Sequence, residues 1–403
     1  MRLQARIPGA TSVLVNDDRG AIGGRMRHFL IGRTLGEYLE SRRDNILYLR
    51  MIAATAVVFG HAGLSGLSQE QYDFVHALFP ATFVHVLGLI MFFLISGFLV
   101  TSSFARRGDF RRFVWARFLR LWPALVVCAI GVAFVIGPLA THWPIRDYLS
   151  SSRSTGPYDY VWGSVTLFDV RTSITGLFGR QPNRIHDLAN GPLWTIPVEA
   201  TMYLWVAVAG LLRLYRFPWV TSFVIAAVFS TLILWPMMTG PFATLNSKLS
   251  VQGFFGAGAI AYLLRDHIPI STGLMILIGA ACYMARDTIH TTPFIWLAIA
   301  YFVFWFSYVP RIPAMPRGLD LSYGTYLWGW PIQQTLAHFW HFEHLLVYFA
   351  VTMLVVLPIA AASWVLIEKP ALRWKDWSPR AQTPARKSRS PSIAAAAPNL
   401  ASP

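Results

Sequence analysis

Arg50 and His61 stand eleven positions apart in an otherwise apolar run, residues 46–63. Eleven residues at about 100° each come to about 1100°, within roughly 20° of three full turns, so a helix projects both side chains from one face, roughly 16 Å apart along its axis. Ionisable groups in hydrocarbon cost several kcal/mol and turn toward a protein-lined or watery interior, which makes this face a candidate site. The plainer alternative is an Arg that snorkels at the helix start and a His bonded within a bundle. Glu199 is the acidic residue lying well inside an apolar run, in Pro192–Tyr203. At 1.5 Å per residue it falls about 10 Å below the outer end of its helix, and His61 roughly 8 Å below the outer end of its own, so the two are expected at one depth. A carboxylate beside an imidazole fixes one tautomer and raises its basicity, which suits a general base near neutral pH. The alternative for Glu199 is a packing hydrogen bond, to Tyr203 one turn away or to another helix. Arg117 and Arg120, three apart and so neighbours on a helix face, are expected at the level of Arg50, where three guanidiniums could bind phosphate oxygens through forked contacts. Read alone, arginines at a helix end are also ordinary topology anchors.

The elements that must position these groups follow from composition. The chain has 403 residues, 55% hydrophobic and 13% charged, with a mean hydropathy of +0.47. That is too apolar for a soluble fold and fits an all-α, polytopic integral membrane helical bundle. Apolar runs near 46–66, 78–101, 118–140, 192–212, 218–238, 249–264, 268–285, 293–309, 321–340 and 345–367 give about 10 transmembrane helices. The shortest two or three are the weakest. Closed β-barrels would show shorter alternating segments instead.

The formal net charge of +15 could suggest nucleic acid, but its placement marks topology. Arginines crowd residues 1–45, the segment between the second and third runs (Arg106, Arg107, Arg111, Arg112, Arg117) and the stretch after the last run. With alternating helices these clusters share one side. The positive-inside rule then puts both termini in the cytoplasm of a plasma (inner) membrane protein with no nucleic-acid partner. Residues 1–45 read as a basic cytoplasmic tail, 46–372 as the transmembrane domain with an extracytoplasmic loop 141–191, and 373–403, rich in Pro, Ala and Ser, as a disordered cytoplasmic tail. Trp143, Tyr148, Tyr158, Tyr160 and Trp162 of that loop could line a sugar-binding surface or form an aromatic belt. Cys128 and Cys282 lie in apolar runs and behave as small hydrophobes, so neither a disulfide framework nor a metal site is indicated.

Taken in order, these residues resemble the membrane acyltransferase 3 family of acyl-CoA-dependent O-acyltransferases. The Arg50-to-His61 spacing is similar to that family's first-helix pair, Phe92–Phe98 to its second-helix motif, and Arg117 with Arg120 to its third-helix pair. Leu193-Trp194 followed by Glu199 and Tyr203, the stretch Leu321–Pro331, and Ile367-Glu-Lys-Pro370 resemble its later motifs. Many members carry His where this chain has Gly329. The resemblance spans about 45 to 372 and implies an acyl-CoA donor, acetyl-CoA first among the candidates, with no metal. It also implies a hydroxyl acceptor on a cell-envelope or secreted glycan or a lipid-linked saccharide. On this reading His61, Glu199 and Arg50 carry the chemistry and Arg50, Arg117 and Arg120 hold the donor, while Trp194, Tyr203 and Tyr323 contact substrate. Ser96, Tyr203 and Tyr323 are the candidate oxyanion donors. A covalent acyl-His intermediate is the variant of this mechanism. The competing expectation is a transporter or flippase for a lipid-linked sugar or anionic solute, which would also carry intramembrane Arg, His and Glu.

Overall fold

The computed structural model describes residues 32–376, except 42, 65–72, 81, 152–154, 168, 180–184, 240–247, 289–290, 314 and 316–317. Most of the basic N-terminal tail, Arg180, Arg184 and the C-terminal tail from 377 therefore lie outside the described residues. A helix stands at each of the ten apolar runs: α1 (Ile46–Leu64), α2 (Val84–Arg107), α3 (Phe110–Gly131), α4 (Thr195–Leu211), α5 (Pro218–Thr239), α6 (Lys248–Leu263), α7 (Thr272–Met284), α8 (Thr291–Tyr308), α9 (Ser322–Phe339) and α10 (Leu345–Ser363). Among the described residues, six helical stretches are long and apolar enough to cross a membrane: Ile46–Gly63, Val84–Arg107, Phe110–Ala140, Gly191–Leu211, Thr291–Tyr308 and Leu345–Arg373. The molecule is thus an all-helical, multi-pass membrane protein. Shorter apolar stretches occupy α5, α6 and α7. Among the described residues the one strand pair is a two-residue antiparallel contact in which Arg33 faces Ile270 and Thr34 faces Pro269.

The centre of the bundle is α2, packed between α1 and α6. Close backbone approach is what holds α2 to α6: a Cβ on Gly97 would run into the Phe255 carbonyl, and one on Gly258 into the Leu94 carbonyl. Without a hydrophobic drive between helices in lipid, this small-residue contact supplies the packing. Against α1 the register is antiparallel, with Gly88 over Ala53 and Val57 and Gly60 over His85.

Prolines shape the rest. Pro138 and Pro370 cannot donate to the carbonyl four residues back, and each follows a π-helical turn, Val132–Ile136 extending α3 and Trp364–Glu368 extending α10. Pro331 lies inside α9 and leaves the Leu327 carbonyl without its helical donor. That carbonyl accepts from Asn190 Nδ2 at 2.9 Å and from the Cys128 thiol at 3.4 Å. Asn190, fully buried, thereby anchors a stretch of non-helical chain inside the bundle, which is tolerated at such depth because protein surrounds it. Tyr326 OH donates to the Pro192 carbonyl at 2.7 Å and Trp330 Nε1 to the Leu188 carbonyl at 3.1 Å, pinning the same stretch.

The 141–191 segment is accordingly no free loop. Its helix Pro157–Thr166 lies along α3, where Trp122 Nε1 donates to the Val165 carbonyl at 2.9 Å. Of its rings, Tyr148 and Tyr160 are fully buried, and the Tyr148 hydroxyl donates to the Ala133 carbonyl at 2.8 Å. Tyr158 and Trp162 point outward. Trp143 is half-buried against the core, so the five rings are split, two inside the protein, two at its periphery and one between.

Candidate active site

The three arginines do converge. Arg50 from α1 and Arg117 and Arg120 from α3 line one cleft of about 780 Å³, its open mouth included, together with Ser96, Glu199, Tyr203 and Tyr323. Along α2 the lining runs from Val100 to Leu89, eleven residues or about 16 Å. Phe92, which meets Tyr326 edge-on at 5.9 Å, walls the Leu89 end.

Two of the guanidiniums are already neutralised. Asp320, just before α9, accepts from Arg120 Nη2 at 2.7 Å and pairs with Arg50 Nη1 at 3.1 Å through the same oxygen. Its other oxygen accepts from the Ser322 hydroxyl at 2.6 Å and amide at 3.2 Å. Burial alone would raise the Asp320 carboxyl, but Arg50, Arg120 and the Ser322 hydrogen bonds outweigh it and hold the group well below the usual carboxylate range. Glu368, 2% exposed, sits in the π-helical turn of α10 and reaches Arg120 Nη1 at 3.5 Å, its second oxygen accepting from Ser363 Oγ at 3.1 Å. Asp320 and Glu368 thus tie α1, α3, α9 and the end of α10 together.

Arg117 is different. Its guanidinium lies over the rings of Phe113 and Tyr203, each 5.7 Å from the centroid, and its buried Nε has no hydrogen-bond partner among the described residues. A cation held by aromatic faces at the wall of a cleft is ready for an anion.

Glu199 and His61 are not brought together. Glu199 Oε1 accepts from Ser96 Oγ at 3.0 Å and from the Tyr203 hydroxyl, the packing arrangement that stood as the alternative in the sequence. His61 instead meets the His85 ring at 5.3 Å between centroids and the edge of Trp330 at 5.0 Å. Ser96 and His85 both lie on α2, eleven residues apart, so the two candidate groups are separated by about 16 Å along the axis. The depth estimate failed because α4 starts deep: the buried chain around Asn190 occupies the space where a full-length helix was expected, and a 3₁₀ turn, Gly191–Trp194, leads into α4 only at Thr195. Glu199 is therefore level with Arg50.

The remaining substrate-contact candidates divide. Tyr203 and Tyr323 line the cleft, with Tyr323 OH donating to the Leu121 carbonyl at 2.8 Å. Trp194 packs against the apolar core. Gly329 lies against Val58, whose Cγ2 a Cβ there would meet at 2.7 Å. Sequence reasoning missed Asp320 and Glu368. Asp320 borders one segment it had singled out, Leu321–Pro331, and Glu368 lies within another, Ile367–Pro370; three part-buried arginines called for acids nearby.

Residues 43–367 match the family model of the acyltransferase domain. The chain belongs to the acyltransferase 3 family. It is similar to nodulation protein 10 of Rhizobium leguminosarum bv. viciae, 27% identical over 382 residues that cover 84% of this chain and 95% of that protein. It is also similar to the O-acetyl transferase of Shigella phage Sf6, 28% identical over 341 residues, covering 79% of this chain and 93% of the relative. No solved structure matches. Membership of the acyltransferase 3 family makes the protein an O-acyltransferase of non-aminoacyl groups and decides against the transporter expectation.

Proposed function

We propose that this plasma-membrane enzyme, with both termini in the cytoplasm, moves an acyl group, acetyl foremost, from cytoplasmic acyl-CoA to a hydroxyl of a cell-envelope or secreted glycan. The observation that carries this reading is the cleft itself: it has a cationic end at Arg117, flanked by Arg50 and Arg120, and extends along α2 toward His61. Leu89, the last α2 residue of its lining in that direction, is four residues from His85, about 6 Å. A donor whose phosphates meet Arg117 can therefore direct a slender thioester arm along the cleft toward the imidazole.

In this scheme His61 takes the proton of the acceptor hydroxyl as its oxygen attacks the thioester carbonyl carbon. The C–S bond then breaks, the ester remains on the acceptor, and the departing thiolate recovers the proton from His61 as CoA thiol. Glu199 and Tyr203 shape the cleft wall at the donor end, and Glu199 is not the partner that orients His61. The Shigella phage relative is named an O-acetyl transferase, which supports acetyl and a hydroxyl acceptor. Purified full-length protein in detergent should release thiol from labelled acetyl-CoA, and mass spectrometry of envelope glycans with and without the gene should show acetyl groups that depend on it. Unchanged glycans together with inert acetyl-CoA would remove this donor and acceptor.

A further inference from the structure

With Glu199 about 16 Å away, another group must hold His61 in its working tautomer. We infer that His85 does so, as a positioning residue that accepts a hydrogen from one His61 ring nitrogen while the other takes the acceptor's proton. This inference rests on His61 being the base.

The geometry is built for contact between the two rings. Gly60, the residue before His61, leaves no room for a side chain: a Cβ there would meet His85 Cβ at 2.6 Å and Nδ1 at 2.8 Å. The His85 ring is thus seated against the α1 backbone, and its plane is inclined 35° to that of His61 at 5.3 Å between centroids. Ring nitrogens lie about 1.2 Å from the centroid, so this separation allows N···N near 3 Å once the His61 ring turns about its Cβ–Cγ bond, a torsion with a broad, soft profile. Trp330 limits that turn from the α9 side by standing at 87° to the His61 ring.

The groups around the pair favour such a role. On the segment before α2, Phe83 stacks on His85 at 5.8 Å and His76 stacks on Phe83 at 4.3 Å. Asp73, 4% exposed, accepts from the Val84 amide at 2.8 Å, next to His85 in sequence, and from the Val75 and His76 amides. Among the described residues, the titratable groups near His85 include His61 from α1 and Asp73 from the preceding segment, with His76 one ring further out behind Phe83; α9 contributes the uncharged Trp330 beside His61. A carboxylate near the second imidazole is the ordering that lets His85 share the positive charge as His61 gains a proton.

The test uses full-length protein in detergent, with acetyl-CoA as the probe and thiol release as the readout. His61→Ala is measured beside His85→Phe, His85→Asn and His85→Gln, with monodispersity and thermal unfolding reporting on folding. His85→Phe keeps a ring and removes both nitrogens; it should lower kcat by roughly 10- to 100-fold, the loss typical when a group orienting an imidazole is removed. Donor KM should stay within twofold and the pH–rate profile should move. Asn or Gln, each of which retains an acceptor, should recover part of the loss. Three results overturn the inference while leaving His61 in place: wild-type kcat and pH profile in His85→Phe, equal losses in all three variants with an unmoved profile, or misfolding of Phe with fully active Asn and Gln at an unmoved profile. An active His61→Ala would instead overturn the base assignment on which it rests.

Discussion

The two ends of α1 solve the same problem in opposite ways. At the Arg50 end, charge is met by charge: Asp320 bridges Arg50 and Arg120, and Glu368 supports Arg120. At the His61 end, two imidazoles and an indole meet ring to ring. The first arrangement gives two of the three guanidiniums carboxylate partners, and on the proposed reading Arg117 is the cation kept for the donor. The second keeps a group whose proton can come and go. On the function proposed above, the contrast separates holding a substrate from reacting with it along one helix.

Removing the reactive end should have the largest effect. His61→Ala is expected to lower thiol release from acetyl-CoA by 10²–10⁴-fold, about the range for loss of a general base, with binding of CoA at the other end intact by calorimetry. Activity above a tenth of wild type would erase the contrast.

Next in size is the staple. Asp320→Asn leaves the part-buried Arg50 without its carboxylate and Arg120 with Glu368 alone, at a cost of up to about 3 kcal/mol, the lower end for a broken buried pair, read as a lower melting temperature in detergent. Because the Asp320 carboxyl is held below its ordinary value, its contribution is fully present above about pH 4 and fades as pH falls through the folded value. The gap between wild type and variant should therefore be flat from pH 5 to 8 and close only in strong acid. A gap that changes across neutral pH would show that another group governs it.

Arg117→Lys sharpens the holding side. A point charge replaces the planar fork, so donor KM should rise roughly tenfold with kcat within twofold, the pattern of lost ground-state binding. Equal kinetics in the variant would make Arg117 an anchor of topology alone. The smallest change belongs to Glu199→Gln, which still accepts from Ser96 or Tyr203. A few-fold rise in donor KM is expected, with the pH–rate profile unmoved because Glu199 is level with Arg50. A displaced profile would restore the His61–Glu199 partnership expected from the sequence.

Much of this was legible in the chain. Helix positions followed from apolar runs, and Arg117 and Arg120 share a face as their spacing required, because periodicity on a helix is a local property; that Arg50 lines the same cleft was only a possibility in the sequence and was set by packing between helices. What stayed hidden was non-local. Where α4 begins depends on Asn190 finding the carbonyl that Pro331 frees 137 residues away, and no pattern around residue 190 announces that. Asp320 and Glu368 were hidden for a related reason. Each lies at a helix boundary, where an acid reads as interfacial until the π-helical turn or the preceding loop directs it inward. His85 was not singled out in the sequence at all; only the seat left by Gly60 shows that its ring lies against the α1 backbone beside His61.

The irregular chain anchored by Asn190 has an evolutionary corollary. A helix that forms a wall of a reaction chamber constrains its own revision, since one inserted residue rotates every later side chain by about 100°. Here the wall beside α9 at the His61 end is partly irregular chain, pinned at Leu188, Asn190 and Pro192. Residues can be gained or lost ahead of those pins without shifting the phase of any helix that carries an arginine or the histidine.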